Sequence, residues 1–150
     1  MKQDYSLNPS LLNAQPGLIW SYQNPSGVNP FDDQHPLEVS AKECDNSTFC
    51  VWYLSPVWQF NDANKTKYAL LGEFDKWTVV SRQRVSSIKT DAEKTSTTVY
   101  LQGSAGEILH FSVYLEPFKA VTVACAIPST GPAELVITPT KVTCSSFEAK

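Results

Sequence analysis

Between residues 97 and 144 the chain alternates apolar and polar residues over several runs of strand length, and two cysteines fall in phase with the apolar positions. A period of two sends successive side chains to opposite faces, so such runs read as strands with one face buried. Leu109, Phe111, Val113 and Leu115 share one face of the run 107–115. In 118–127, Val121, Val123, Cys125 and Ile127 share a side, with Thr122 and Ala124 on the other. Val142 and Cys144 again share a side, which predicts inward-facing Cys125 and Cys144 on neighbouring strands, joined as a disulfide. Runs 96–102 and 107–115 flank a short segment holding Gly103 and Gly106, the pattern of a hairpin.

Upstream, residues 51–54 and 57–60 are aromatic and β-favouring, and Pro56 between them points to an edge strand or a bulge. Adjacent Trp52 and Tyr53 on a strand must face opposite ways. Residues 68–72 read as a buried strand, 76–81 as the next, and 82–88 as its continuation. The helix-friendly tetrapeptide 91–94 is too short to hold as a helix, so a polar loop is expected there. Eight or so short strands at turn spacings of about ten residues define an all-β chain, an antiparallel β-sandwich of Ig-like or jelly-roll-like type over residues 44–150.

Residues 1–43 differ in texture. Pro9, Pro16, Pro25, Pro30 and Pro36 are too closely spaced for a helix or central strand to persist, which predicts an extended Pro-rich N-terminal arm. Leu11, Leu12, Leu18, Ile19, Trp20, Tyr22, Val28 and Phe31 supply apolar area for packing that arm on or near a core, and residues 24–27 form a turn signal.

A chain of 150 residues is long enough to bury one sizeable core without a metal. Its net charge of −3 provides no basic field for a phosphate backbone, which argues against a nucleic-acid partner. No apolar run approaches the ~20 residues of a membrane helix, so membrane insertion is not expected. Cys44, Cys50, Cys125 and Cys144 form an even set without zinc-type spacing; a local Cys44–Cys50 bridge is expected beside the Cys125–Cys144 one. Asn46 and Asn64 each open a glycosylation sequon. Together these features fit a secreted or extracellular protein. The start lacks a signal-peptide core, so Met1 is expected to begin a mature form or a domain taken from a longer chain.

Catalytic patterns are thin. His35 and His110 stand isolated and read as loop and outward-facing strand residues, with no metal site and no cofactor expected. Glu73 and Asp75 could serve as paired acids of a glycosidase-type hydrolase, but a charged turn is the simpler reading. The aromatic concentration is more informative: Trp52, Trp58 and Trp77 are candidates for stacking on sugar faces, with Asp75, Arg82 and Arg84 supplying polar contacts. Arg82 and Arg84, two apart, are expected to share a strand face. At the level of fold alone, a disulfide-linked β-sandwich of this kind resembles the accessory domains of multidomain carbohydrate-active enzymes. The resulting expectation is a non-catalytic module that binds carbohydrate. The alternative is a protein-interaction or structural subunit of an extracellular assembly, with the N-terminal arm docked on a neighbour.

Overall fold

A computed structural model of the chain describes residues 5–40 and 50–145. It is all-β, with thirteen strands in four antiparallel sheets and no helix among the described residues. The strands divide between two compact units, Met1–Val57 and Trp58–Lys150.

In the first unit, β1 (Tyr5–Leu7) pairs with β4 (Leu37–Val39), while β2 (Gly17–Ser21) is flanked by β3 (Asn29–Phe31) and β5 (Trp52–Pro56). The segment expected as an extended arm therefore folds into short strands. Proline spacing limits their length without preventing pairing: Pro30 lies in β3 and Pro56 ends β5, both at sheet edges where no second ladder needs their missing N–H. Ile19, Phe31 and Leu37 form a small core of their own, with Leu7, Val39 and Trp52 packed against it. Trp52 and Tyr53 face opposite ways as the strand period requires, Tyr53 lying 5.7 Å from the ring of Trp20. The turn at residues 24–27 closes through Gly27 N–H donating to Asn24 O at 3.1 Å.

The second unit contains β6 (Trp58–Gln59), β7 (Lys67–Gly72), β8 (Val85–Thr90), β9 (Thr97–Leu101), β10 (Ile108–Leu115), β11 (Lys119–Ala126), β12 (Ala133–Thr138) and β13 (Lys141–Ser145). One sheet has the order β11-β10-β7-β6 and the other β13-β12-β9-β8. Successive hairpins thus alternate between sheets. Both sheets bury their inward residues in a single cluster, where Leu109, Phe111, Val113 and Leu115 of β10 join Val99, Leu101, Leu135 and Ile137 of the other sheet. Tyr68 stacks on Phe60 at 4.3 Å and hydrogen-bonds through its hydroxyl to Thr97 Oγ1 at 2.7 Å, a buried polar link between the sheets.

The β10 face is buried as its alternation predicts, and His110 is exposed on the other side. Two local expectations change. β9 and β10 do not form a hairpin, because the loop between them carries the chain from one sheet to the other. Two strands that each bury a face look the same in sequence whether the turn between them reverses within a sheet or crosses between sheets. Residues 76–81 form no strand: Gly72 turns the chain at φ 85°, and Glu73 N–H donates to Val79 O at 2.9 Å, closing a loop over 73–84. An added side chain at Gly72 would strike the Val79 carbonyl, so the loop requires glycine there.

Cys125 and Cys144 form a disulfide with a Cα–Cα distance of 5.4 Å, but β11 and β13 are edge strands of different sheets rather than ladder neighbours. The bond therefore ties the two sheets together at one side. Cys50 is also disulfide-bonded, whereas Cys44 and the expected local bridge lie outside the described residues. With 19 residues of separation, the Cys125–Cys144 bond contributes about 3 kcal/mol on the chain-entropy account. The double substitution Cys125→Ala and Cys144→Ala should lower unfolding stability by about that amount, measured by urea titration.

The β8–β9 loop matches the expected polar loop and is organised by Asp91. Its carboxylate accepts from Thr95 Oγ1, Thr95 N–H and Ser96 Oγ at 2.7–2.9 Å. Those bonds, led by the Thr95 hydroxyl, hold the Asp91 pKa down from 3.8 to about 2. The folded chain thus binds this proton more weakly than the unfolded chain, so the contribution is complete above the ordinary aspartate value and fades as pH falls towards about 2. Asp91→Asn should flatten the acid limb of the stability–pH curve between about pH 4 and pH 2, with little change in that slope at pH 7.

Candidate functional site

The loops that change sheets in the second unit enclose a polar cleft of about 590 Å³, lined by Glu73, Lys76, Trp77, Thr78, Ser81, Gln83, Arg84, Gly103, Ser104 and Glu107. Each side chain has a local reason for its position. Gly72 ends β7 and throws Glu73 into the cleft floor, while burial of Val79 pins the middle of the 73–84 loop. Trp77, between those anchors, is left 59% exposed. The turn at 81–84 is stapled by Arg84 and Val85 N–H groups donating to Ser81 O at 3.1 and 2.8 Å. Arg82 and Arg84 therefore occupy a turn rather than one strand face. Arg82 is exposed and does not line the cleft.

Arg84 is the organising charge. Its Nε donates to Glu73 Oε2 at 2.8 Å, and Nη2 donates to Glu107 Oε1 at 2.8 Å. Nη1 donates to Gln102 O at 2.8 Å and to Glu107 Oε2 at 3.2 Å. One guanidinium thus joins the end of β7, the end of β9 and the approach to β10. Side-chain exposure is 16% for Arg84, 6% for Glu73 and 34% for Glu107, so the charges are mostly withdrawn from water. Hydrogen bonds from Arg84, then Ser104 N–H, hold the Glu107 carboxyl below its ordinary range. The bonds to Glu107 in turn raise the Arg84 pKa. Gly103 lies against this network: a Cβ there would strike the Glu107 carboxylate and meet Arg84 Nη1 at 2.6 Å.

The other sequence candidates lie elsewhere. Trp52 belongs to the first unit and is packed at its small core. Trp58, on β6, is 38% exposed and sits 5.7 Å from the Tyr68 ring; it does not line the cleft. Asp75 is exposed at the loop surface with Lys76 Nζ at 3.5 Å. Asn64 is exposed in the turn before β7, and Asn46 lies outside the described residues. Of the six proposed ligand contacts, Trp77 and Arg84 line one cleft. Glu107, Gln83, Ser81 and Ser104 escaped the sequence reading because Glu107 meets Arg84 across 23 positions. An acid beside a glycine-rich turn is too common a signal to single it out.

Chemically, the cleft offers one exposed ring, one exposed ammonium from Lys76, and several hydroxyl and amide groups around a guanidinium shared by two carboxylates. Among the described residues no group of three or more His, Cys, Asp or Glu is placed to hold a metal ion, and no helix is long and apolar enough to cross a membrane. No family model, curated protein or solved structure matches the chain.

Removing Arg84 would leave Glu73 as an unpaired, nearly buried carboxylate. Arg84→Ala should therefore destabilise the fold by about 3 kcal/mol in denaturant titrations, with Arg84→Lys intermediate because it keeps charge but loses the planar fork.

Proposed function

We propose that this chain is a secreted, non-catalytic β-sandwich module that binds carbohydrate in the cleft built around Trp77. The observation that carries the reading is Trp77 itself: a large ring held 59% exposed by an anchored loop, on the rim of a cleft lined by hydroxyl, amide and ammonium groups. A flat apolar ring matches the C–H face of a sugar, and nearby donors and acceptors match its hydroxyls. Gln83, Thr78, Ser81 and Ser104 are the polar partners in this reading, with Lys76 at the rim. Arg84 serves chiefly to hold the cleft, since four of its N–H directions are used within the protein. Trp58, exposed on β6, is a second stacking surface outside the cleft.

The sandwich description rests on two four-stranded sheets that share one apolar cluster and a disulfide across their edges. Secretion is supported by that disulfide and by the exposed turn position of Asn64, which also suits a glycan. Binding is favoured over glycoside hydrolysis because Glu73 is engaged by Arg84 at 2.8 Å, while Asp75 lies at the surface beside Lys76.

A glycan array followed by tryptophan-fluorescence titration tests the proposal. Binding should quench or shift the emission, and Trp77→Ala should weaken affinity by about tenfold or more while leaving the unfolding transition near that of the parent. No response across the array, or unchanged affinity in the Trp77→Ala variant, would defeat it.

A further inference from the structure

Arg84 holds its two carboxylates in different ways. Glu107 takes the end of the guanidinium fork twice, Nη2 donating to Oε1 at 2.8 Å and Nη1 to Oε2 at 3.2 Å. Glu73 takes a single bond, from Nε to Oε2 at 2.8 Å. Its second oxygen, Oε1, accepts no hydrogen bond from any described residue, although the side chain is only 6% exposed. Oε1 is not wholly enclosed either, so the surface it keeps opens on the cleft that Glu73 lines.

The guanidinium carries the complementary group. Of its five N–H directions, one is spent on Glu73, two on Glu107 and one on Gln102 O. The fifth belongs to Nη2, whose other N–H reaches Glu107. In a planar guanidinium that remaining N–H runs parallel to Nε–H, on the side where Glu73 sits. The pair is thus bonded at one point where its geometry allows two. One carboxylate acceptor and one guanidinium donor stand on the same side of Arg84 at the cleft floor, and their burial makes each costly to leave unmatched.

We propose that this acceptor and donor form the specificity subsite of the cleft and take one hydroxyl of an uncharged sugar, which donates to Glu73 Oε1 and accepts from Arg84 Nη2. The inference rests on the carbohydrate reading of the Trp77 cleft and adds to it the class of sugar. A hydroxyl carries a donor and an acceptor on one atom, which matches both groups at once. A carboxylate or sulfate at this point would set its oxygens against Glu73 Oε1, and an ammonium would face the guanidinium. The lining charges agree: Arg84 and Lys76 are offset by Glu73 and Glu107, so the cleft holds no net field for an acidic sugar. Lys76 is half-exposed with Asp75 at 3.5 Å, and water screens it.

Tryptophan-fluorescence titration of the full chain with methyl glucoside, galactoside and mannoside, up to about 100 mM, tests the subsite. At least one should bind, and its uronic acid should bind no tighter. One of its monodeoxy derivatives should bind about tenfold or more weaker. Glu73→Gln keeps the size of the side chain and one oxygen for Arg84 Nε, but replaces the second oxygen by an N–H donor. It should abolish the difference between the parent sugar and that deoxy derivative, whereas a purely structural role would lower both affinities and preserve the difference. Glu73→Asp, which keeps the charge for Arg84 but withdraws the carboxylate, serves for the same comparison should Glu73→Gln not fold. Arg82→Ala, outside the cleft, should leave every affinity unchanged. An acidic sugar preferred by about tenfold or more, or deoxy losses that all persist without Glu73, would overturn the subsite while leaving Trp77-dependent binding in place. Silence of the methyl hexosides beside a Trp77-dependent array signal would overturn it too, and silence of the array as well would remove the carbohydrate reading with it.

Discussion

Everything in the second unit depends on two sheets burying their apolar faces in one another. Phe111, Val113 and Leu115 on one side and Val99, Leu135 and Ile137 on the other are almost inaccessible to water, and each such side chain contributes about 1.5–3 kcal/mol when buried. Neither sheet could hide that surface alone. The chain meets the requirement by laying down hairpins alternately, β6–β7 and β10–β11 in one sheet, β8–β9 and β12–β13 in the other. Two of the connections between hairpins, over 73–84 and 103–107, converge on the same cleft.

Crossing loops bring polar backbone and charge close to an apolar core, and Arg84 resolves that conflict. It satisfies two carboxylates and the Gln102 carbonyl with one rigid, planar donor set, which fixes both loops relative to the sheets. Rigidity at the base of the loops is compatible with exposure at their tip: Val79 is buried, whereas Trp77 two positions earlier stands largely in solvent. A scaffold that immobilises a loop from below while presenting a ring above it is how β proteins commonly carry binding surfaces.

The legible parts of the sequence were those governed by a two-residue period. Leu109 to Leu115, Val121 to Ile127, and the opposed orientation of Trp52 and Tyr53 follow from that period, since a half-buried strand repeats its environment at every second residue. The pairing of Cys125 with Cys144 followed for the same reason. The N-terminal segment was harder to read, because proline was weighed against strand formation although Pro30 is harmless at a sheet edge, whereas Pro56 marked the edge strand expected of it. Residues 76–81 misled in the opposite sense: β-favouring side chains were present, yet the left-handed Gly72 and the Glu73–Val79 bond curled them into a loop.

By itself, the sequence determined the all-β class, the inward faces of the principal strands and the cysteine pair, because each is encoded in the order of neighbouring side chains. Only the tertiary structure decided which sheet each hairpin joins, that Cys125 and Cys144 span two sheets, and that Arg84 is shared between Glu73 and Glu107. Those outcomes depend on residues distant along the chain being brought to hydrogen-bonding distance by burial of a common core. No local pattern records that meeting, which is why Trp77 was visible as a candidate while the cleft around it was not.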